Sequence, residues 1–293
     1  MAGEGGGGAG GGGGAPLRVM VNGMPGKMAT AVAEAVVSRG LTLVPLGLTG
    51  DQVAEESVSV SGVDVRLVRP VDREVTLAAI AAEHPSTVVV DYTHPSAVNA
   101  NVAAYAAAGL SFVVGTTGGD EAAMRAAVAA ADGSAYALIA PNMAKQIVAL
   151  QAGLEAAAAA FPGAYAGYTL SVTESHQSHK ADTSGTAKAI VGALGALGAP
   201  LDVADIVKVR SPDEQVATMG VPADALSGHA FHTYRLVSGD GSVRFELQHN
   251  VVGRAVYAEG TVDAVVFLAA RRQAADPVRV YNMIDVLRAG EMS

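Results

Sequence analysis

Leu17-Arg18-Val19-Met20-Val21-Asn22-Gly23-Met24-Pro25-Gly26-Lys27-Met28-Ala29 is the stretch on which the fold turns. A short apolar run, LRVMV, meets a glycine turn and then residues that suit a helix, so the reading is strand, tight turn, helix. The spacing G-x-x-G-x-x-A lets backbone approach a pyrophosphate at the positive end of the helix. Gly23 permits the turn, Pro25 suits the first helical turn and Lys27 adds a cation. The turn alone is compatible with an ordinary βα connection. Its place at the head of a βαβ pattern favours dinucleotide binding, with Gly23, Met24, Pro25, Gly26, Lys27 and Met28 as candidate contacts.

Outward from this turn the pattern repeats. A helix is expected over 25–38, a strand over 41–46 (LTLVPL) and another over 63–68 (VDVRLV). Then come a helix near 73–83, TVVVD at 87–91, a helix over 96–108, SFVVG at 111–115, a helix over 120–131 and YALIA at 136–140. Continuously apolar runs belong to strands covered on both faces, so a Rossmann-type, doubly wound parallel sheet is expected. After Asn142 the texture changes to a long Ala-rich helix near 143–160 and then to longer runs of two-residue alternation at 165–175, 229–238 and 243–250. These predict a second α+β domain with an open mixed sheet and one solvated or subunit-facing side. The segments 254–270 and 278–289 read as helical and as returning to the first domain. The expected division is a flexible Gly-rich leader over 1–15, a dinucleotide-binding domain over 16–142 and 252–293, and a substrate-binding and oligomerisation domain over 143–251.

Composition narrows the function. The chain has 293 residues, half of them hydrophobic, and a formal charge of −9 with its 19 Lys and Arg scattered singly. That balance argues against nucleic acid and anionic membranes as partners and favours a small molecule. The absence of Cys excludes disulfides, thiolate metal sites and Cys nucleophiles. No apolar stretch reaches the roughly 20 uninterrupted residues of a spanning helix. Residues 1–14 hold ten of the 35 glycines, and they match neither a secretory signal nor an Arg/Ser-rich transit peptide.

Three further loops close parallel strands, where such sheets bind ligands. After 41–46 the chain runs into Leu46-Gly47-Leu48-Thr49-Gly50, with no acid before Asp51. An acid there would hold NAD ribose hydroxyls, so its absence leans towards NADPH, with Thr49 as a phosphate contact and NADH as the alternative. Asp91 and Thr93 are cofactor candidates, or caps of the following helix. Gly115, Thr116, Thr117 and Gly118 are expected against the nicotinamide half, and Pro141 and Asn142 at the domain junction.

The densest polar cluster is Thr173-Glu174-Ser175-His176-Gln177-Ser178-His179-Lys180-Ala181-Asp182-Thr183-Ser184-Gly185-Thr186. It joins an alternating strand to a helix starting near Thr186, and so has little core to serve. His176 can act as acid or base, Lys180 supplies charge or a proton, and Ser184-Gly185-Thr186 offers N–H groups and hydroxyls to a carboxylate. Taken singly each residue has a plain surface or capping explanation; jointly they favour a site. A zinc reading of His229 and His232 fails because a spacing of three on a strand sends side chains to opposite faces. No metal is expected. His84 and His94 read as surface or capping residues, and His249 as a strand end.

At these residues the sequence resembles the 4-hydroxy-tetrahydrodipicolinate (dihydrodipicolinate) reductase family. The resemblance runs over most of 17–289 through Gly23 to Met28, Asp91-Tyr92-Thr93-His94-Pro95, Gly115-Thr116-Thr117-Gly118, the 174–186 loop, and His249-Asn250-Val251-Val252-Gly253-Arg254. Bacterial members read E-x-H-H-x-x-K-x-D-x-P-S-G-T in the central loop. Here Gln177 replaces the second His and Thr183 the Pro, as in the plant branch. The resemblance implies NAD(P)H-dependent reduction of 4-hydroxy-tetrahydrodipicolinate to tetrahydrodipicolinate with loss of water, in lysine (diaminopimelate) biosynthesis. It makes His176 the proton donor or acceptor and Lys180 the second proton donor. His179, Lys180, Thr183, Ser184, Gly185 and Thr186 become the cradle of a dicarboxylate substrate. It also implies a chloroplast stromal enzyme, or a cytoplasmic one if the source is bacterial. A homo-oligomer, dimer or tetramer, is expected through the second sheet. The competing readings are another two-domain NAD(P)-dependent dehydrogenase and a non-catalytic NADP(H)-sensing protein.

Overall fold

Val19 and Val21 face one apolar layer and Met20 the other, and this alternation organises the first half of the molecule. The structure, a computed structural model, describes residues 17–290; the leader expected over 1–15 lies outside the described residues. In chain order, β1 (Arg18–Asn22) leads through the glycine turn to α1 (Lys27–Ser38), and β2 (Thr42–Leu43), β3 (Leu46–Leu48), β4 (Ser57–Val60) and β5 (Val63–Val68) follow. Next come α2 (Arg73–Glu83), β6 (Val88–Asp91), α3 (Pro95–Ala107), β7 (Ser111–Val114), α4 (Glu121–Ala130) and β8 (Ala137–Ile139). The second half holds α5 (Lys145–Ala160), β9 (Thr169–His176), α6 (Gly185–Ala196), β10 (Val207–Val209), α7 (Pro212–Met219), β11 (His229–Val237) and β12 (Arg244–Val252). The chain closes with α8 (Ala255–Gln273), β13 (Val280–Tyr281) and α9 (Met283–Ala289).

The main sheet has the order β13-β8-β7-β6-β1-β2, and its pairings are all parallel. One face packs against α1, α8 and α9 through Val32, Val262, Leu268 and Val286. The other packs against α2, α3 and α4 through Leu77, Tyr105 and Val128. Between β1 and β6 the strand order reverses, which is where a doubly wound sheet opens a binding crevice at its carboxyl edge.

Three expectations are corrected. LTLVPL is not one strand: Pro45, which has no N–H to give to a ladder, separates β2 from β3. VDVRLV, expected in the parallel sheet, pairs instead with β3 and, antiparallel, with β4 in a separate three-stranded sheet. Asp64 and Arg66 on its exposed side explain this, since a strand covered on both faces has no place for them. The segment 278–289, expected as helix, begins with β13, a two-residue edge strand held against β8.

The second sheet runs β10-β9-β11-β12 and is mixed. Leu170 and Val172 of β9 with Tyr234 and Leu236 of β11 share a core with Ile190, Val191 and Leu194 of α6 and Ala158 of α5. The opposite side is polar, with Ser171, Thr173, Thr233 and Arg235 on it. Among the described residues no helix is long and apolar enough to cross a membrane.

Candidate active site

The first cleft lies at the reversal of strand order. It measures about 370 Å³ and is lined by Gly23, Thr49, Gly50, Gln52, Arg73, Thr93, His94 and Asn101 among others. Gly23 has φ +105°, and a Cβ there would stand 2.3 Å from the Tyr92 carbonyl. Only glycine lets the turn pass so close to the β6 loop. Residues of the turn differ in what they present: Met24 is fully buried, whereas Pro25, Gly26 and Lys27 are exposed at the start of α1.

Several cofactor candidates hold the loops rather than face the cleft. Asp91 is fully buried, and its carboxylate accepts from Tyr105 Oη (2.7 Å), Asn101 Nδ2 (3.2 Å), Thr93 N (2.9 Å), Thr93 Oγ1 (2.7 Å) and Thr116 Oγ1 (2.8 Å). Burial and this carboxylate hold the Tyr105 phenol well above its ordinary pKa. Nor does Asp91 or Thr93 cap α3: the His94 side chain does, accepting from Ser96 N. Thr49 lines the cleft, but its hydroxyl donates to the Met24 carbonyl (2.7 Å). At Gly115 a Cβ would lie 2.3 Å from the Tyr92 ring, so that glycine makes room for Tyr92. Of the Gly115–Gly118 group, Thr117 lines the cleft described next.

That cleft, about 510 Å³, lies where the first half faces the polar loop: Thr117, Pro141 and Asn142 on one side, Lys180, Thr183, Ser184, Gly185, Thr186 and Lys188 on the other. Asn142 Nδ2 donates to Thr186 Oγ1 at 3.3 Å across the junction. The Lys180 ammonium rests on both Asp182 oxygens at 2.8 Å. Ser184, expected to serve a ligand with its N–H and hydroxyl, is already committed. Its N–H donates to Glu174 Oε2 (3.0 Å) and its hydroxyl caps α6 by accepting from Ala187 N. Gly185 and Thr186 open the helix into the cleft as first-turn donors. His179 is exposed and lines neither junction cleft.

His176 opens onto a third cleft, about 240 Å³, with Met28, Gln177, His229, Arg254 and Tyr257. The structure therefore sets His176 against the start of α1 and Lys180 against the ends of the β7 and β8 loops. The two clefts share no lining residue. His176 is 7% exposed, and its carbonyl accepts from the buried Gln215 amide at 2.6 Å. Burial first, then Arg210 and Lys180, push its pKa down to about 3. Glu174 Oε1, 3.7 Å from His176 Nδ1, does not reverse this because Arg210 Nη2 neutralises the carboxylate at 2.6 Å. The resting imidazole is neutral.

The register of the second sheet assembles what the linear sequence hides. His232 lies opposite Glu174 on one side and His249 on the other. It stacks on His249 with ring centroids 4.4 Å apart and meets His176 edge-on at 4.9 Å. His249 is thus a mid-strand residue, not a strand end. His229 points to the opposite face, where its Nε2 meets Ser175 Oγ at 2.8 Å, as the spacing of three requires. Burial lowers the pKa of His232 strongly and that of His249 to about 4. Glu174, His176 and His232 place one ligand atom each within 4.8 Å of one another, a cross-strand set that pairwise reasoning on His229 and His232 missed. By distance it fits a divalent cation; by charge it is opposed, since the carboxylate already carries the Arg210 guanidinium.

Arg73, Arg210 and Gln215 were not singled out from sequence; Glu174 was read only as part of the polar cluster and His232 only in a zinc pair that was set aside. Two-residue alternation would have given the side of each strand that carries Glu174 and His232, but not their cross-strand pairing, and no local signal marked Arg73 or Arg210.

Two family models cover the chain: dihydrodipicolinate reductase, N-terminus, over residues 17–143, and dihydrodipicolinate reductase, C-terminus, over 147–287. A probable 4-hydroxy-tetrahydrodipicolinate reductase 2, chloroplastic, from Oryza sativa subsp. japonica is 49% identical over 94% of this chain and 84% of its own length. The 4-hydroxy-tetrahydrodipicolinate reductase 2, chloroplastic, of Arabidopsis thaliana is 46% identical over 94% of this chain and 78% of its own. In fold the chain is similar to the dipicolinate-bound dihydrodipicolinate reductase of Paenisporosarcina sp. TG-14. The TM-score is 0.61 at 18% identity, over 91% of this chain and 97% of that one.

Proposed function

The chain belongs to the dihydrodipicolinate reductase family, and from that membership we propose how its clefts divide the work. The protein is an NAD(P)H-dependent oxidoreductase that converts 4-hydroxy-tetrahydrodipicolinate to tetrahydrodipicolinate with loss of water, in lysine biosynthesis, and it acts in the chloroplast as its plant relatives do. The observation that carries the site assignment is the junction cleft, where Thr117, Pro141 and Asn142 face Lys180 and the first turn of α6. The assignment follows a two-part division of the chain, 16–142 with 252–293 for the dinucleotide and 143–251 for the substrate.

The first cleft takes the adenosine half of the cofactor. Its described lining contains no Asp or Glu but does contain Arg73, beside Thr49, Gly50 and Gln52. The Arg73 guanidinium rests on the exposed Glu74 at 2.6 Å, outside the lining, and turning it onto a 2′-phosphate would exchange one anion for another, so NADPH is the preferred cofactor and NADH the second. Gly23, Pro25, Gly26 and Lys27 stand at the helix start that suits the pyrophosphate. When bound, the reduced nicotinamide supplies a hydride to C4 of the heterocycle.

The chain's own residues supply the rest. Lys180 and the N–H groups of Gly185 and Thr186 hold the substrate carboxylates, with Asp182 yielding the ammonium as the dianion arrives. The departing 4-hydroxyl takes one proton and leaves as water; Lys180 is its donor. His176, neutral at rest, becomes easier to protonate once the substrate's negative charge offsets Arg210 and Lys180, and as an imidazolium it can then share in donating the proton. His176 and Lys180 stand four residues apart in the second half, each lining a cleft against the first, and closure of the two halves brings the reduced nicotinamide to both. The polar side of the second sheet, at Ser171, Thr173, Thr233 and Arg235, joins copies of the chain into a dimer or tetramer.

Incubating the full chain with NADPH and enzymatically made 4-hydroxy-tetrahydrodipicolinate tests the reading. Loss of NADPH absorbance dependent on the heterocycle is expected; binding of NADPH without turnover would instead support the sensing alternative.

A further inference from the structure

Residues 177–184 connect β9 to α6 without strand or helix and with little apolar content, yet they carry the ammonium that the proposed function needs in one place. Loop backbone of this kind holds a single arrangement only where something fixes its polar groups. Arg210, just beyond β10, does so. Its Nε donates to the Lys180 carbonyl at 2.7 Å, and its Nη2 donates to the Asp182 carbonyl at 3.4 Å and to Glu174 Oε1 at 2.6 Å. Its Nη1 donates to the Glu174 carbonyl at 3.3 Å. Glu174, fully buried, passes the tie onward, since its Oε2 accepts the Ser184 N–H at 3.0 Å. One guanidinium–carboxylate pair thus fixes the backbone at 180, 182 and 184. Lys208 Nζ adds a single bond to the Ala181 carbonyl at 3.3 Å.

We propose that Arg210 is the positioning residue of the substrate loop: through Glu174 and the carbonyls of Lys180 and Asp182 it presets the ammonium and the first turn of α6 for a dicarboxylate. The inference rests on the proposed function for the identity of the ligand, while the tie itself is independent of it. A guanidinium is required because its planar fork serves acceptors in several directions at once, which a point ammonium cannot do. Arg210 touches no substrate in this scheme; it acts through the loop.

The test uses the full chain with Arg210→Met and Arg210→Lys. Four quantities are read: dissociation constants for dipicolinate in the presence of NADPH, dissociation constants for NADPH alone, the KM for the heterocyclic substrate, and amide hydrogen exchange over 177–186. In Arg210→Met, dipicolinate is expected to bind roughly tenfold or more weakly, and the KM for the heterocyclic substrate to rise by a similar factor. NADPH binding should stay within about twofold, and exchange over 177–186 should accelerate while β11 stays protected. Arg210→Lys keeps the charge but not the fork and should fall between, with dipicolinate weakened roughly fivefold. It carries the test alone should Arg210→Met not fold. Unchanged dipicolinate affinity, or weakened affinity with an unchanged loop exchange rate, would overturn the proposal. So would full rescue by Arg210→Lys. If the unsubstituted chain binds neither NADPH nor dipicolinate, the functional reading fails, and the exchange data still decide whether Arg210 orders the loop.

Discussion

Asp91 and Glu174 are both fully buried carboxylates at the carboxyl ends of strands, and both gather loops around themselves. Their surroundings differ. Asp91 is met by neutral donors, the phenol of Tyr105, the amide of Asn101 and the hydroxyls of Thr93 and Thr116. Glu174 is met by a guanidinium and one backbone N–H, with two imidazoles at 3.7 and 3.8 Å whose facing nitrogens have no hydrogen-bond partner. A buried charge saturated by neutral donors is scaffolding: it fixes the loops after β6 and β7. A buried charge balanced by a cation, beside imidazoles kept neutral by burial, retains groups whose charge a ligand can change.

The comparison is sharpest in turnover. His176→Ala and Lys180→Ala should each lower kcat by roughly two orders of magnitude or more while NADPH affinity persists; near-normal rates in both would place the chemistry elsewhere. Stability should sort the carboxylates the other way. Asp91→Asn strands donors around a buried site and should cost about 3 kcal/mol in urea unfolding. Glu174→Gln should cost about half as much, because Arg210 retains contact with solvent. Equal losses would erase the distinction.

Acid should find the histidine column. Unfolded imidazoles titrate near 6.5, whereas His176 does so at about 3 and His232 is also shifted down strongly. Between those values the unfolded chain binds more protons. The neutral imidazoles therefore do not weaken folding above pH 6.5, and stability falls as the pH drops below it, by about 1.4 kcal/mol per imidazole at pH 5.5. Urea titrations at pH 7.5 and 5.5 should show this loss, and His232→Gln should reduce it; identical losses in both proteins would mean that the ring is not kept neutral. The smallest effect belongs to the cleft at the reversal of strand order. Arg73→Ala should lower the ratio of kcat/KM for NADPH over NADH by roughly tenfold, and an unchanged ratio would remove Arg73 from phosphate recognition.

Much of this was readable in one dimension because its causes are local. Continuously apolar runs such as VVVD and SFVV report burial on both faces, and the glycine turn after LRVMV reports a backbone position that a Cβ would block. The misreadings have local causes too: Pro45 splits a strand, and Asp64 and Arg66 on alternate positions of VDVRLV mark a ribbon with a wet side. The roles of Asp91 and Thr116 were not readable, because an acid and a hydroxyl at strand ends suit a ligand as well as they suit one another.

By itself the sequence determined the doubly wound half, the change to an alternating second sheet and the concentration of His, Lys and hydroxyl groups over 173–186, since each follows from periodicity and composition within a few residues. Only the tertiary structure decided that Glu174, His176, His232 and His249 share one face, that Arg210 holds the loop from 30 residues beyond Lys180, and that Arg73 enters the cleft between β1 and β6. Those relations depend on strand register and on the packing of distant elements, and the residues in between carry no periodic trace of them.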